Sequence, residues 1–247
     1  MFELPLVSVI TPIFQVNQEY LLAAYQSLQA QTIEWEWLLQ WDGEKSVLPD
    51  QIAKDPRVKV DANNQHLGTA ITRNRALMRA STQMIQNLDA DDFLAPNALA
   101  LLFGMLNSHP DAAFAFGDTA DLLPSGATYI NDEPNNYLGL VSPGELFEAW
   151  QRTGFNALPI HPAGLMWRKQ NLLALGGWAA MSGAEDTSIV MAASTLWLSV
   201  ASNEITLFYR KHPAQTTAQA SHTDMKDKHW QFVQDRVSAI KALLVKP

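Results

Sequence analysis

The chain has 247 residues, 47% of them hydrophobic and 17% charged, with a formal charge of −8 and a pI near 5.2. That is the make-up of an ordinary globular protein with material for a substantial core, and its acidity argues against broad binding to a nucleic-acid backbone, though not against a small anion held by a few local cations. No cysteine is present, so disulfides, thiolate catalysis and zinc–thiolate sites are excluded, which fits a reducing, cytoplasmic setting.

The start, MFELPLVSVITP, lacks a basic stretch leading into an apolar run and a small-residue cleavage site, so no secretory signal is expected. Residues 6–11, LVSVIT, are apolar and β-branched and stop at Pro12, which predicts a buried strand. Asn17 is placed to cap a helix whose apolar stripe is Leu21, Tyr25 and Leu28. In WEWLLQW (35–41), Trp35, Trp37, Leu39 and Trp41 alternate onto one face of a strand that ends at Asp42-Gly43. RVKV (57–60) predicts a short third strand, residues from about 69 to 80 a helix, and 84–88 a fourth strand. This alternation predicts an α/β fold with a parallel or mixed sheet covered by helices. Ligands of such open sheets gather beyond the carboxyl ends of the strands, where Asp42 and Asp89 both stand.

Farther on, 101–106 reads as helix, 112–118 as strand, and the Gly/Pro/Asn-rich 124–143 as loop. GELFEAWQRT predicts a helix, 164–167 a strand followed by a short helix to 175, 185–193 a helix, and 204–212 a strand running into a loop. Trp230, Val233, Val237, Ile240 and Leu244 at helical spacing predict a terminal helix packed on the body. The longest apolar stretches, 98–106 and 189–201, fall short of the ~20 residues of a membrane span. No internal repeat, low-complexity tract or linker is evident.

The fourth strand runs into IQNLDADDFLAP, where Asp89, Asp91 and Asp92 crowd into four positions. Like charges repel and lose hydration if buried, so the cluster calls for a cation, a capping role or a solvated turn. A second acidic pair, Glu185-Asp186, opens a predicted helix, where acids also suit the helix N-terminus.

Four segments in order resemble the inverting glycosyltransferases of family 2: VSVITPIF with SLQAQT in the next helix; HLGTAITRNRAL (66–77); LDADDFLAP; and GGWAAMSGAEDTSIVM (176–191). The likeness spans roughly residues 5–215. It implies an α/β GT-A fold with a mixed, mostly parallel central sheet flanked by helices. It also implies a catalytic domain over 1–215, nucleotide-binding to about 118 and acceptor-binding from about 119, with a helical extension over 216–247 packed on the same domain. The implied reaction is metal-dependent, inverting transfer of a sugar from a nucleoside-diphosphate sugar to a hydroxyl of a carbohydrate, lipid-linked or small-molecule acceptor. A divalent cation can neutralise the charge growing on the departing diphosphate, and a positioned carboxylate can take the acceptor's proton.

Residue by residue, the resemblance makes Asp91 the principal ligand of Mn²⁺ or Mg²⁺, with Asp89 on the metal or the ribose and Asp92 assisting. Asp186 is the general base, and Glu185 positions it or the acceptor. Thr11, Pro12, Asp42, Arg73, Ala90 and Arg210 fall to the nucleotide, Asp42 at the base or ribose and Arg73 near the phosphates. The late loop YRKHPAQTT (209–217) brings Arg210, His212 and a later Thr towards the diphosphate or the metal, while His161 and Trp178 lie where the acceptor is met. WDGE departs from the commoner Asp-Asp-Gly-Ser, so the nucleotide is left unnamed.

Plainer readings stand beside these. Arg73 is also a solvated helix cation beside Arg75 and Arg79, Trp41 and Trp178 are core residues, and His222 and His229 belong to the surface. A silent sugar- or nucleotide-binding module is argued against by the intact Glu-Asp pair. A nucleotidyltransferase wants a glycine-rich loop after the first strand, and TPIFQVNQE has none; an aspartyl phosphatase wants a Thr where Phe93 stands. Contact with a membrane surface and self-association are left open.

Overall fold

The computed structural model describes residues 4–130, 137–213, 215 and 226–244. Four strands form the first part of a ten-stranded sheet: β1 (Val7–Ile13), β2 (Trp35–Trp41), β3 (Val58–Ala62) and β4 (Met84–Asn87), all parallel, in the order β3-β2-β1-β4. The sheet continues through β9 (Met166–Arg168), antiparallel to both β4 and β6 (Ala112–Leu122), and then β10 (Leu198–Arg210), parallel to β6. Two-residue β5 (Phe93–Leu94) closes that edge, while β7 (Thr128–Ile130) hangs on β6 and β8 (Gly139–Val141) on β10, all three antiparallel. The long registers are parallel and the short ones antiparallel, so the sheet is mixed.

Helices cover both faces. They are α1 (Gln18–Gln29), α2 (Asp50–Ala53), α3 (Thr69–Arg79), α4 (Ala98–Ser108), α5 (Glu145–Arg152), α6 (Lys169–Ala174), α7 (Glu185–Leu196) and α8 (Lys226–Leu244). Trp35, Trp37, Leu39 and Trp41 do share a face of β2, packed with Val7 and Val9 of β1, Leu21 and Leu28 of α1, and Leu102 of α4. On the opposite face Ile10, Leu38 and Ile85 meet α3, α5, α7 and α8 through residues such as Leu77, Trp150, Ile189 and Val233. Each fully buried side chain of this size contributes on the order of 1.5–3 kcal/mol. Asn17 caps α1 by accepting the Glu19 N–H at 2.8 Å.

The second half departs from expectation in its details. Strand β6 runs on to Leu122, and β10 begins at Leu198 rather than 204, directly after α7. Residues 189–201 contain no Gly or Pro to mark that change; pairing with β6 decides it. The stretch expected as loop carries β7 and β8, and α2 and β5 are too short to show a period. His229, expected at the surface, is 7% exposed. It lies one turn before Val233 and two before Val237, on the buried stripe of α8. His222 lies outside the described residues.

Because β1 sits between β2 and β4, Asp42 and Asp89 emerge along one edge of the sheet. Thr11 ties the three strands together just beneath it, donating to the Leu88 carbonyl at 2.6 Å and accepting the Trp37 indole N–H at 2.8 Å. Among the described residues no helix is long and apolar enough to cross a membrane.

Candidate active site

The aspartate turn after β4 is held from within. The Asp92 amide donates to the Asp89 carbonyl at 3.2 Å. The Asp92 side chain is fully buried and accepts the Arg210 amide at 2.9 Å; burial, reinforced by Asp91 and Asp89, pushes its carboxyl well above the usual range. Asp92 therefore anchors the end of β10 to the turn. Arg210 adds a hydrogen bond from Nε to the Asp91 carbonyl at 2.8 Å and lies over the Tyr20 ring at 4.3 Å. His212 then meets Asp91, with Nε2 to Oδ2 at 2.8 Å. Burial and Asp89 raise the Asp91 pKa, and His212 works against the rise. Gln215 braces the loop, accepting the His212 amide at 3.1 Å and donating to the Arg210 carbonyl at 2.6 Å. Thr216 and Thr217 lie outside the described residues.

Arg73 stands under this turn rather than on the surface. The inward stripe of α3 includes Ala70, Arg73 and Leu77, which leaves the arginine side chain 4% exposed. Its Nη2 donates to Asp89 Oδ1 at 2.6 Å, and Nη1 lies 2.8 Å from both Glu185 Oε1 and Asp186 Oδ2. Burial opposes its charge, but the three acids more than restore it and carry its pKa above the ordinary value. Asp186 also accepts the Trp178 indole N–H on Oδ1 at 2.8 Å. Burial lifts the Asp186 carboxyl to about 7; Arg73 opposes the rise, and Glu185 and Asp89 add to it. A carboxyl poised there can exchange a proton at neutral pH.

Both acids open α7 directly after Ala184, whose φ of 59° is left-handed and costs a non-glycine residue roughly 1–2 kcal/mol. Before that turn, the Asn74 amide of α3 clamps Trp178, with Nδ2 donating to the Trp178 carbonyl and Oδ1 accepting its N–H, each at 2.9 Å. Gly177 (φ 74°) has to be glycine for this contact: a Cβ there would lie 2.1 Å from Asn74 Oδ1.

Asp42 organises the loop into α3. It accepts the amides of Leu67 at 2.6 Å and Gly68 at 3.0 Å and Nδ2 of Asn63 at 3.1 Å, and it lies 2.9 Å from His66 Nδ1. Burial alone would raise its pKa, but these donors hold it below the ordinary value. His66 stacks on Phe14 at 4.4 Å, and Phe14 is 53% exposed. The sequence reading missed both rings; the available signal was an aromatic one residue beyond the end of a buried strand. His161 accepts the Ala163 amide on Nδ1 at 3.3 Å and lies 4.5 Å from the Tyr209 ring. Burial and Lys211 pull its pKa to about 4, so it stays neutral.

The chain thus brings Asp89, Arg73, Glu185 and Asp186 into one ion-paired group, with Asp91, Arg210 and His212 beside it through the turn. Thr11 is turned wholly into the core, and Ala90 is buried behind the turn. Among the described residues no group of three or more acids and histidines is disposed as a complete metal cage. The Asp91 oxygen and the His212 nitrogen nevertheless face each other, and hard divalent cations bound with a diphosphate commonly take only one or two protein carboxylates, with phosphate oxygens and waters completing the shell. Asp91 is the carboxylate of this turn that could serve such an ion, and His212, here paired with it, would have to turn its nitrogen away from Asp91 to join in.

An uncharacterized protein of Sinorhizobium fredii is 34% identical to this chain over 131 residues, 49% of this chain and 14% of that one. An uncharacterized glycosyltransferase of Methanocaldococcus jannaschii is 28% identical over 167 residues, covering 64% of this chain and 54% of that one. The chain therefore spans no more than about half the length of either relative. The crystal structure of S. aureus TarS 1–349 in complex with UDP matches with a TM-score of 0.69 at 18% identity, over 95% of this chain and 65% of that one, a likeness of fold that agrees with the GT-A architecture. Residues 8–168, from β1 through β9, match the family described as glycosyl transferase family 2, and the chain belongs to that family.

Proposed function

We propose that this chain transfers a sugar from a nucleoside-diphosphate sugar to an acceptor hydroxyl, with inversion at the anomeric carbon. The observation that carries this reading is the Arg73 group: one buried cation holds Asp89 of the donor-side turn and the Glu185-Asp186 pair of α7 within 2.6–2.8 Å. Acids from two distant parts of the sequence therefore border one space. The proposed division of labour gives the donor to residues up to about 118 and the acceptor to 119–215, with α8 as an extension packed on the same unit.

At the donor edge, the stacked Phe14 and His66 rings beside Asp42 offer a surface for a nucleobase. The UDP bound to TarS makes uridine diphosphate the first nucleotide to try. Asp91 and His212, with Asp89 alongside, would hold Mn²⁺ or Mg²⁺, which when bound supplies neutralising charge for the departing diphosphate. On the other side Asp186 takes the acceptor's proton. Its dry surroundings favour the neutral acid it becomes, and Arg73 keeps enough of it ionised to act near pH 7. Attack by that hydroxyl opposite the leaving group inverts the sugar carbon. The acceptor class is a carbohydrate, lipid-linked or small-molecule hydroxyl.

The test is a thermal-shift series with UDP, GDP, TDP and CDP, each with and without Mn²⁺. Metal-dependent stabilisation by one nucleotide is expected, since a ligand specific for the folded state raises the melting point. Absence of any shift, together with no consumption of UDP-GlcNAc or other donors, would sink the proposal.

A further inference from the structure

We propose that Trp178 is a positioning residue for Asp186: its indole N–H holds one carboxylate oxygen while Arg73 holds the other, so the acid presents a fixed face to the acceptor. The proposal rests on Asp186 acting as the general base. A carboxylate held by one partner can still rotate about its last bond, whose torsional profile is broad. Two partners on different oxygens set its plane. Here Trp178 Nε1 is 2.8 Å from Oδ1, and Arg73 Nη1 is 2.8 Å from Oδ2. Both are donors with no capacity to accept. Neither can take up the proton that Asp186 gains, so that proton has to sit on a lone pair turned away from both.

Trp178 is itself immobilised. It is 1% exposed, and the Asn74 amide grips its backbone on both sides at 2.9 Å. Burial does not force this pairing on every indole: among the described residues, Trp150 and Trp167 of the same core, Trp41 on the other face of the sheet and half-buried Trp230 have a buried Nε1 with no hydrogen-bond partner. The charged groups facing Asp186 are Arg73 from α3, Glu185 from α7 itself and Asp89 from the aspartate turn; Trp178 adds a directed donor and no charge.

The test needs no identified donor. The eight tryptophans give a countable set of indole resonances in a ¹⁵N–¹H spectrum of the free protein, and Trp178→Phe assigns one of them by its loss. That resonance is expected to shift with pH around a midpoint near 7, and the shift is expected to vanish in Asp186→Asn. In Trp178→Phe, losing a donor to the ionised form raises the ¹³Cγ midpoint of Asp186. With UDP-GlcNAc and Mn²⁺ as probe, roughly a ten- to hundredfold fall in kcat at unchanged donor KM is expected from loss of one hydrogen bond to a charged group. A folded Trp178→Phe protein with the Asp186 midpoint unmoved would overturn the proposal. Should that variant fail to fold, the wild-type spectrum decides, with assignment from Asp186→Asn: a set of indole resonances that all ignore pH between 5 and 9 overturns it. Full transfer by Asp186→Asn would instead remove the general base on which it rests, whatever the spectra show.

Discussion

The aspartate turn after β4 and the acid pair opening α7 carry the same kind of side chain but are secured differently. The turn is held largely through main-chain groups: β4 in register with β1, the Arg210 amide on Asp92, and Arg210 Nε on the Asp91 carbonyl. The pair is held by side chains from elsewhere. Arg73 and Asn74 reach it from α3, the latter through Trp178. From α8, His229 bonds Ser182 at 3.0 Å, and Arg236 bonds Ser188 at 2.9 Å and the Leu175 carbonyl at 3.3 Å. A site braced by backbone tolerates change around it; one braced by borrowed side chains is exposed to substitutions far away in sequence.

The sharpest break is Asp186→Asn, expected to cut transfer by about 10²–10⁴-fold, the range for a lost general base, with the melting point showing the fold intact. The same acid is expected to link activity to pH. Its pKa is about 7 against an ordinary 3.8, raised chiefly by burial. Between those values the folded state binds a proton that the unfolded state lacks, so this group's contribution to stability falls as pH rises through that window. With Asp186 as the proposed base, transfer is expected to rise through the upper end of that window as the acid ionises. Asp186→Asn flattens both slopes, which a melting-point series and a kcat/KM profile would read.

Next in size is Arg73→Met, which leaves three acids without their shared cation and is expected to cost about 3–5 kcal/mol in chemical denaturation. On the backbone-braced side, Thr11→Val strands the Trp37 indole N–H and the Leu88 carbonyl in the core, for about 1–3 kcal/mol. The smallest effect is His229→Leu, which removes one brace at Ser182 for about 1 kcal/mol. A loss larger than that from Arg73→Met would show α8 to be the main support of the acid pair and overturn the ranking.

Much of the first half was legible because its signals are local. Alternation in WEWLLQW, β-branching in LVSVIT and the Asn17 cap each act within one element, and the order of elements then puts Asp42 and Asp89 on one edge. The burial of Arg73 was not read, although a signal existed. Of the three arginines on α3, residue 73 alone is in phase with Ala70 and Leu77. A cation on an apolar stripe makes sense only once acids distant in sequence are known to meet it. His229 follows the same logic, in phase with Val233 and Val237. The switch from α7 to β10 stayed hidden because no local residue dictates it and pairing with a distant strand does.

The shared arginine also bears on motion. A guanidinium gripped by acids from the aspartate turn and from α7 ties the two elements like a crosspiece, and prising them apart would leave a buried cation without its counter-charges. Hinge-like separation of the aspartate turn from α7 is therefore disfavoured.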